Sequence, residues 1–174
     1  RHVNVKPAEQ DATIGDKAAL RFLKGGWLEE AAYVKLRETI GESASLGVRF
    51  GVPASQSGGG NSLLEYNELD VCAMIGGQLH IVECKTGLFS NSDGAEGAGQ
   101  NAINKLTFFR DSLLGQFGAL VLLNPRSISA GSNAQKGLEQ MRGRGRFVSV
   151  ELHTGEEAMS VMRRQFEQLR SAAS

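Results

Sequence analysis

Three residues carry the strongest chemical suggestion in the sequence. Asp70 and Glu83 are separated by twelve residues, and one residue separates Glu83 from Lys85. Two carboxylates brought close together repel unless a cation lies between them. Their oxygens are hard ligands of the kind that Mg2+ or Mn2+ takes, with waters completing the shell. A metal held in this way would lower the pKa of a bound water and polarise a phosphoryl oxygen. The Lys85 ammonium would orient the attacking water or offset negative charge in the transition state. The spacing alone is loose and arises by chance in many chains. A cross-strand Glu–Lys pair is the alternative.

This chemistry needs elements that hold the three residues together. Residues 67–75 and 78–85 read as strands joined by Gly76-Gly77, a two-residue turn signal. Side chains alternate along a strand. Glu68, Asp70, Cys72 and Met74 then share one face, and Leu69, Val71, Ala73 and Ile75 the other. On the next strand Leu79, Ile81, Glu83 and Lys85 stand against His80, Val82 and Cys84. Pairing through the turn brings Asp70 opposite Glu83. Both faces of residues 78–85 are largely apolar, which marks a central strand. Charges at the end of such a strand are hard to explain as solvation. Cys72 and Cys84 fall on opposite faces and are not expected to bond.

Residues 17–40 read as helical, with a break at Gly25-Gly26. Beyond the break, Leu28, Ala32, Tyr33, Leu36 and Ile40 fall within an arc of about 140°. Glu29 sits in the middle of that arc, where an unpaired carboxylate is costly. Glu30 faces water. A strand is expected over residues 46–54. A helix is expected over 100–114, with Ala102, Leu106, Phe109 and Leu113 on one stripe, and then a buried apolar strand over 117–123. A short helix over 133–141, a strand over 146–152 and an amphipathic helix over 156–172 complete the chain. The order predicts an α/β fold: an αβββαβ sandwich around a central mixed sheet. Residues 1–16 read as a linker or edge segment, and residues 17–174 as one domain.

Composition narrows the choices. The chain has 174 residues, 19 Lys and Arg against 19 Asp and Glu, and 41% hydrophobic residues. That is a chain able to build a core, not a disordered tail. Neutrality gives no sign of strong non-specific attraction to nucleic acid, yet it leaves room for a local basic groove. Two cysteines and the scattered His2, His80 and His153 make neither a disulfide framework nor a zinc site. No apolar run is long enough for a membrane span, and no secretory signal is visible, so a reducing cytoplasm is expected. The chain opens on Arg1 rather than Met and is expected to be a piece of something longer.

In this order of elements the chain resembles the PD-(D/E)XK nuclease superfamily. It is most similar to the nuclease domain of CRISPR-associated ancillary nucleases that carry an N-terminal CARF sensor. The residues that carry the resemblance are Gly25-Gly26-Trp27-Leu28-Glu29-Glu30, Asn67-Glu68-Leu69-Asp70-Val71 and Val82-Glu83-Cys84-Lys85-Thr86. Lys105-Leu106 through Arg110-Asp111 and then Gly115 also fit. The likeness spans roughly residues 25–123. It implies metal-dependent hydrolysis of phosphodiesters in DNA, RNA or both, with Mg2+ or Mn2+ as cofactor. It also implies Asp70 and Glu83 as metal ligands, Lys85 as a catalytic residue and Glu29 as the first-helix acid, a further ligand or the holder of a water. A homodimer is implied as well. In that family a cyclic oligoadenylate bound by the sensor switches on the nuclease; this chain is expected to lack room for the sensor, as a cut-out nuclease domain or a free-standing relative. The competing reading is a non-catalytic nucleic-acid-binding or scaffold domain with the same fold.

Further candidates surround this set. Gln100 at a helix start and Lys105 at the edge of a helix stripe are candidate substrate contacts; a solvated lysine is the plain alternative. Arg110 is expected at the surface. Arg142, Arg144 and Arg146, alternating with Gly143 and Gly145, read as a phosphate clamp or a solvated turn. Residues 86–100 read as a lid or substrate loop. Trp27 and Tyr33 are expected in the core or at its edge.

Overall fold

Two glycines decide how the chain enters its first long helix. The computed structural model describes residues 16–53, 63–87, 98–111, 118–126, 133–147 and 150–173. Asp16 caps α1 (Lys17–Arg21), its Oδ1 accepting from the Ala18 amide at 2.8 Å. The chain kinks at Gly25 within Phe22–Gly26, and α2 runs over Trp27–Ile40. Gly25 has φ +147°, a conformation that a side chain resists. A Cβ there would lie 3.3 Å from Thr86 Oγ1, and that hydroxyl donates to the Lys24 carbonyl at 3.3 Å. The break predicted at Gly25-Gly26 is thus also the point where the helix leans on the end of a central strand.

After a 3-10 turn (Gly41–Ser43), the strands are β1 (Ala44–Pro53), β2 (Leu63–Ile75) and β3 (Gln78–Cys84). Then come α3 (Ala98–Phe109), β4 (Leu120–Asn124), α4 (Asn133–Phe147), β5 (Val150–Thr154) and α5 (Ala158–Ala173). The sheet has the order β1-β2-β3-β4-β5. The first three strands pair antiparallel, and β3, β4 and β5 pair parallel. This is the mixed α/β sandwich that the sequence predicts. Gly76 and Gly77 both take positive φ, +58° and +76°, as a tight hairpin turn requires. The resulting register sets Val71 against Val82 and Cys72 against Ile81, one step short of Asp70 and Glu83.

The sheet is covered on both faces. Leu28, Ala32 and Leu36 of α2 and Met162 and Phe166 of α5 pack on Val71, Val82 and Val121. On the opposite face Ala102, Ile103, Leu106 and Phe109 of α3 pack on Ile81, Leu120 and Leu122. Full burial of such side chains stabilises by about 1.5–3 kcal/mol each before entropy is counted. β4 is buried from end to end, as its unbroken apolar run requires.

Three expectations need correction. Strict alternation fails at Leu69, which packs with Cys72 on the α3 side rather than with Val71. The lapse coincides with Gly47 (φ +61°), where β1 skips its pairing with β2 opposite Asp70. Residues 142–146 are neither a turn nor part of a strand: α4 continues through them, and β5 begins only at Val150. Gly145 permits this, because a Cβ there would lie 2.6 Å from the Val150 carbonyl oxygen and 2.7 Å from Leu152 Cδ1. Trp27 is 39% exposed at the start of α2, whereas Tyr33 lies at the core edge with the Arg37 guanidinium 5.9 Å from its ring centroid. The lid expected over 86–100 falls mostly outside the described residues, as does Leu113.

Candidate active site

β2 and β3 deliver two carboxylates to the same end of the sheet. Asp70 is 9% exposed and Glu83 1%. Asp70 Oδ2 accepts a hydrogen bond from the Cys84 backbone amide at 2.8 Å. Glu83 is gripped by two ammonium groups, with Lys85 Nζ 2.5 Å from its Oε1 and Lys105 Nζ 2.6 Å from its Oε2. Lys105 Nζ also faces Asp70 Oδ1 at 3.8 Å. One cation therefore stands before an oxygen of each acid. Burial on this scale demands such pairing, since an unpaired carboxylate here would be strongly destabilising.

The electrostatics arise from the crowding. Burial, and then the charge of Glu83, push the Asp70 carboxyl up to about 6, although the Cys84 amide, Lys105 and Lys85 pull it down. For Lys85, burial acts to lower the pKa. The charge and hydrogen bond of Glu83 outweigh it, with help from Asp70, so the ammonium is held above its ordinary value. The Lys85 side chain is 32% exposed, so it is both charged and reachable from solvent.

The main chain beyond β3 is fixed by residues that sequence reasoning missed. The Lys85 amide donates to the Leu123 carbonyl at 2.9 Å, continuing the parallel ladder. Asn124 is 2% exposed; its Nδ2 donates to the Gly87 carbonyl at 2.8 Å, and its Oδ1 accepts from the Arg126 amide at 3.0 Å. Arg126 Nε donates to the Thr86 carbonyl. The signal in the sequence is a polar residue closing an otherwise apolar buried strand.

Glu29 takes a different position from the other three acids and bases. It projects from α2, on the face opposite α3, and its carboxylate lies 3.8 Å from Arg21 Nη2. Arg21 donates to Glu68 Oε1 at 2.8 Å, and Arg49 Nε is 3.6 Å from Glu68 Oε2. The hydrogen bond from Arg21 holds the Glu68 carboxyl below its usual value. Arg21, Glu29, Arg49 and Glu68 line a cavity of about 420 Å³ between the first helices and the β1–β2 hairpin. Glu29 is partly buried and Glu30 exposed, as the helical arc predicts. Among the described residues no group of three His, Cys, Asp or Glu side chains is placed to hold one metal ion. The structure therefore joins Asp70, Glu83, Lys85 and Lys105, and leaves Glu29 beside them with Arg21.

The remaining candidates are less central. Gln100 lies in the first turn of α3, and its side chain is outside the described residues. Arg110 pairs with Asp111 at 2.8 Å. Arg142 donates to Thr154 Oγ1 at 3.1 Å. Both cysteines are free thiols on opposite faces of the sheet. No described helix is long and apolar enough to cross a membrane.

The fold and the sequence both have known relatives. The fold is similar to that of Can2 from Sulfobacillus thermosulfidooxidans, solved in complex with cyclic tetra-adenylate. The TM-score is 0.62 at 20% identity, over 95% of this chain and 41% of that one. No curated protein matches the chain. The Card1-like endonuclease domain family matches residues 16–138, more than half of the chain and the whole stretch from α1 through β4. The chain belongs to the Card1-like endonuclease domain family.

Proposed function

We propose that this domain hydrolyses phosphodiester bonds in DNA or RNA with a divalent cation held by Asp70 and Glu83. One observation carries the reading: Asp70 Oδ1 and Glu83 Oε2, both buried, converge on a single cation position, filled here by Lys105 Nζ at 3.8 and 2.6 Å. Two carboxylate oxygens open to one side fit Mg2+ or Mn2+, which take one or two protein carboxylates and keep several waters. When bound, such an ion polarises a phosphoryl oxygen and makes a water more acidic.

The chain's own residues would do the rest. The Cys84 amide fixes Asp70 in rotation, and Lys85 fixes Glu83 from its other oxygen. Lys85, charged and partly exposed, would stabilise negative charge building on the phosphoryl group or orient the attacking water. Lys105 and Gln100 would meet the substrate backbone from α3. Glu29 would hold a water or a second ion at the cavity wall, since its carboxylate is engaged by Arg21 rather than turned onto the first site.

The chain spans 41% of the length of Can2, a structural relative. We therefore read residues 17–174 as the nuclease unit of a longer CRISPR-linked antiviral effector. Control by a cyclic oligoadenylate would act through a sensor domain elsewhere in that protein, and the working unit would be a homodimer in the cytoplasm. The test is a cleavage assay on labelled single-stranded DNA, single-stranded RNA and supercoiled plasmid in Mn2+, Mg2+ or EDTA. Cutting that requires the metal and disappears in a Glu83→Ala/Lys85→Ala double variant supports the reading. Cutting that persists in EDTA or in the double variant opposes it. Binding that survives EDTA, with no cutting in Mn2+, favours a scaffold instead.

A further inference from the structure

The four oxygens of Asp70 and Glu83 are not equivalent. Asp70 Oδ2 is taken by the Cys84 amide, and Glu83 Oε1 by Lys85. Asp70 Oδ1 and Glu83 Oε2 are the two a divalent ion would use, and they are the two that Lys105 faces. We propose that Lys105 is an internal counter-cation occupying the ion's place, so that metal binding is an exchange in which the ammonium leaves the carboxylates. The proposal rests on the metal-dependent reading above and adds to it a residue that sets metal affinity.

The geometry requires exchange rather than coexistence. A Mg2+ or Mn2+ ion sits about 2.1 Å from each carboxylate oxygen. An ammonium 2.6 Å from one of those same oxygens would be pressed against it with like charge. The exchange keeps the buried pair neutralised at every stage, which a site without Lys105 could not do. The displaced group also has somewhere to go. Lys105 Nζ already lies 5.8 Å from the centroid of the Phe109 ring, one turn further along α3, and its side chain is 20% exposed. A short swing of the stem moves the ammonium toward solvent and any substrate phosphate there. Lys85 is the internal control: it neutralises the same Glu83 but from the oxygen that a shared ion would not use.

The experiment is Mn2+ titration calorimetry on the chain and on Lys105→Gln and Lys85→Gln variants. It is paired with acylation of the wild-type lysines with and without Mn2+, read by mass spectrometry. Both variants remove one positive charge near the site. If Lys105 holds the ion's place, Lys105→Gln binds Mn2+ about tenfold or more tighter than Lys85→Gln does. In the unmodified chain, Mn2+ then speeds acylation of Lys105 several-fold, a readout that depends on no variant folding. Equal tightening in the two variants, or Lys105 acylation that is unchanged or slowed by Mn2+, overturns the exchange while leaving metal-dependent cleavage standing. Absence of Mn2+ binding by wild type and both variants overturns the exchange and the metal-dependent reading together.

Discussion

The Cys84 backbone amide donates a 2.8 Å hydrogen bond to Asp70 Oδ2, from the residue immediately after Glu83. The bond ties the two acids together through the main chain of β3 rather than through side chains alone. It forms where the β2–β3 ladder ends at Val71 and Val82, so it stands in for the next rung. The sheet itself thereby fixes the spacing of the carboxylates, and their charge repulsion is met by the lysines around them.

Glu29 is expected to matter less than the β-strand acids. Its carboxylate faces Arg21 at 3.8 Å and is 22% exposed. A charge pair this open to solvent is worth about 1 kcal/mol or less, and a loss of that size at the transition state changes the rate by roughly tenfold or less. Cleavage rates of Glu29→Gln should therefore fall by about tenfold at most. A loss as large as that of Glu83→Gln would mean that Glu29 reaches the metal.

Asn124 anchors the chain just past Lys85. Asn124→Ala removes two partly buried hydrogen bonds, to the Gly87 carbonyl and from the Arg126 amide. Net loss of about 1–3 kcal/mol is expected, with the melting temperature lowered by roughly 2–10 °C. Cleavage should fall as well, because the main chain just past Lys85 loses its anchor at Gly87. Thermal melting and a rate measurement on one preparation check both. An unchanged rate in a folded variant would show that the Leu123 carbonyl and Glu83 position Lys85 without Asn124.

The order of elements along the chain, the mixed sheet and the pairing of β2 with β3 were legible because alternation and the Gly76-Gly77 turn act locally. So were the buried faces of α2, α3 and α5, which obey the helical period. The continuation of α4 through Gly143 and Gly145 was not legible. It depends on α4 approaching the β5 backbone so closely that only a glycine fits at position 145, a tertiary fact that no local propensity carries. In the same way the sequence named Asp70, Glu83 and Lys85 from their types and strand phase. The grip of Lys105 on Glu83 depends on where α3 crosses the sheet. The pairing of Glu29 with Arg21 depends on the angle that the kink at Gly25 sets between α1 and α2.

Gly145 therefore offers a test of the packing. Gly145→Ala forces a methyl group onto the Val150 carbonyl and Leu152 Cδ1. Overpacking of this kind costs about 1–3 kcal/mol and should lower the melting temperature by roughly 2–10 °C. Full thermal stability in the variant would contradict the close approach of α4 to β5.

His80 sets an acid limit on stability. It is 1% exposed, its Nδ1 accepts from the Ala119 amide at 3.0 Å, and its ring meets Phe166 edge-on with centroids 5.9 Å apart. Burial pushes its pKa below the usual value, against the backbone bond to Ile75. The unfolded chain takes up this proton near about pH 6.5, whereas the folded chain resists it. Stability from this residue is thus complete above that pH and falls as the pH drops from there toward the folded value. Urea midpoints of the wild type and a His80→Gln variant between pH 7.5 and 5 check this. The wild-type midpoint should fall more steeply than that of the variant. Parallel curves would show that His80 does not contribute.

The central claim is that Asp70 and Glu83 hold the reacting centre. Its most direct test is the single-turnover cleavage rate of Glu83→Gln in Mn2+, measured beside its circular dichroism and melting curve. Removing one charge while keeping shape should lower the rate by about two to three orders of magnitude with the fold retained. A folded Glu83→Gln protein that cuts at the wild-type rate would contradict the account.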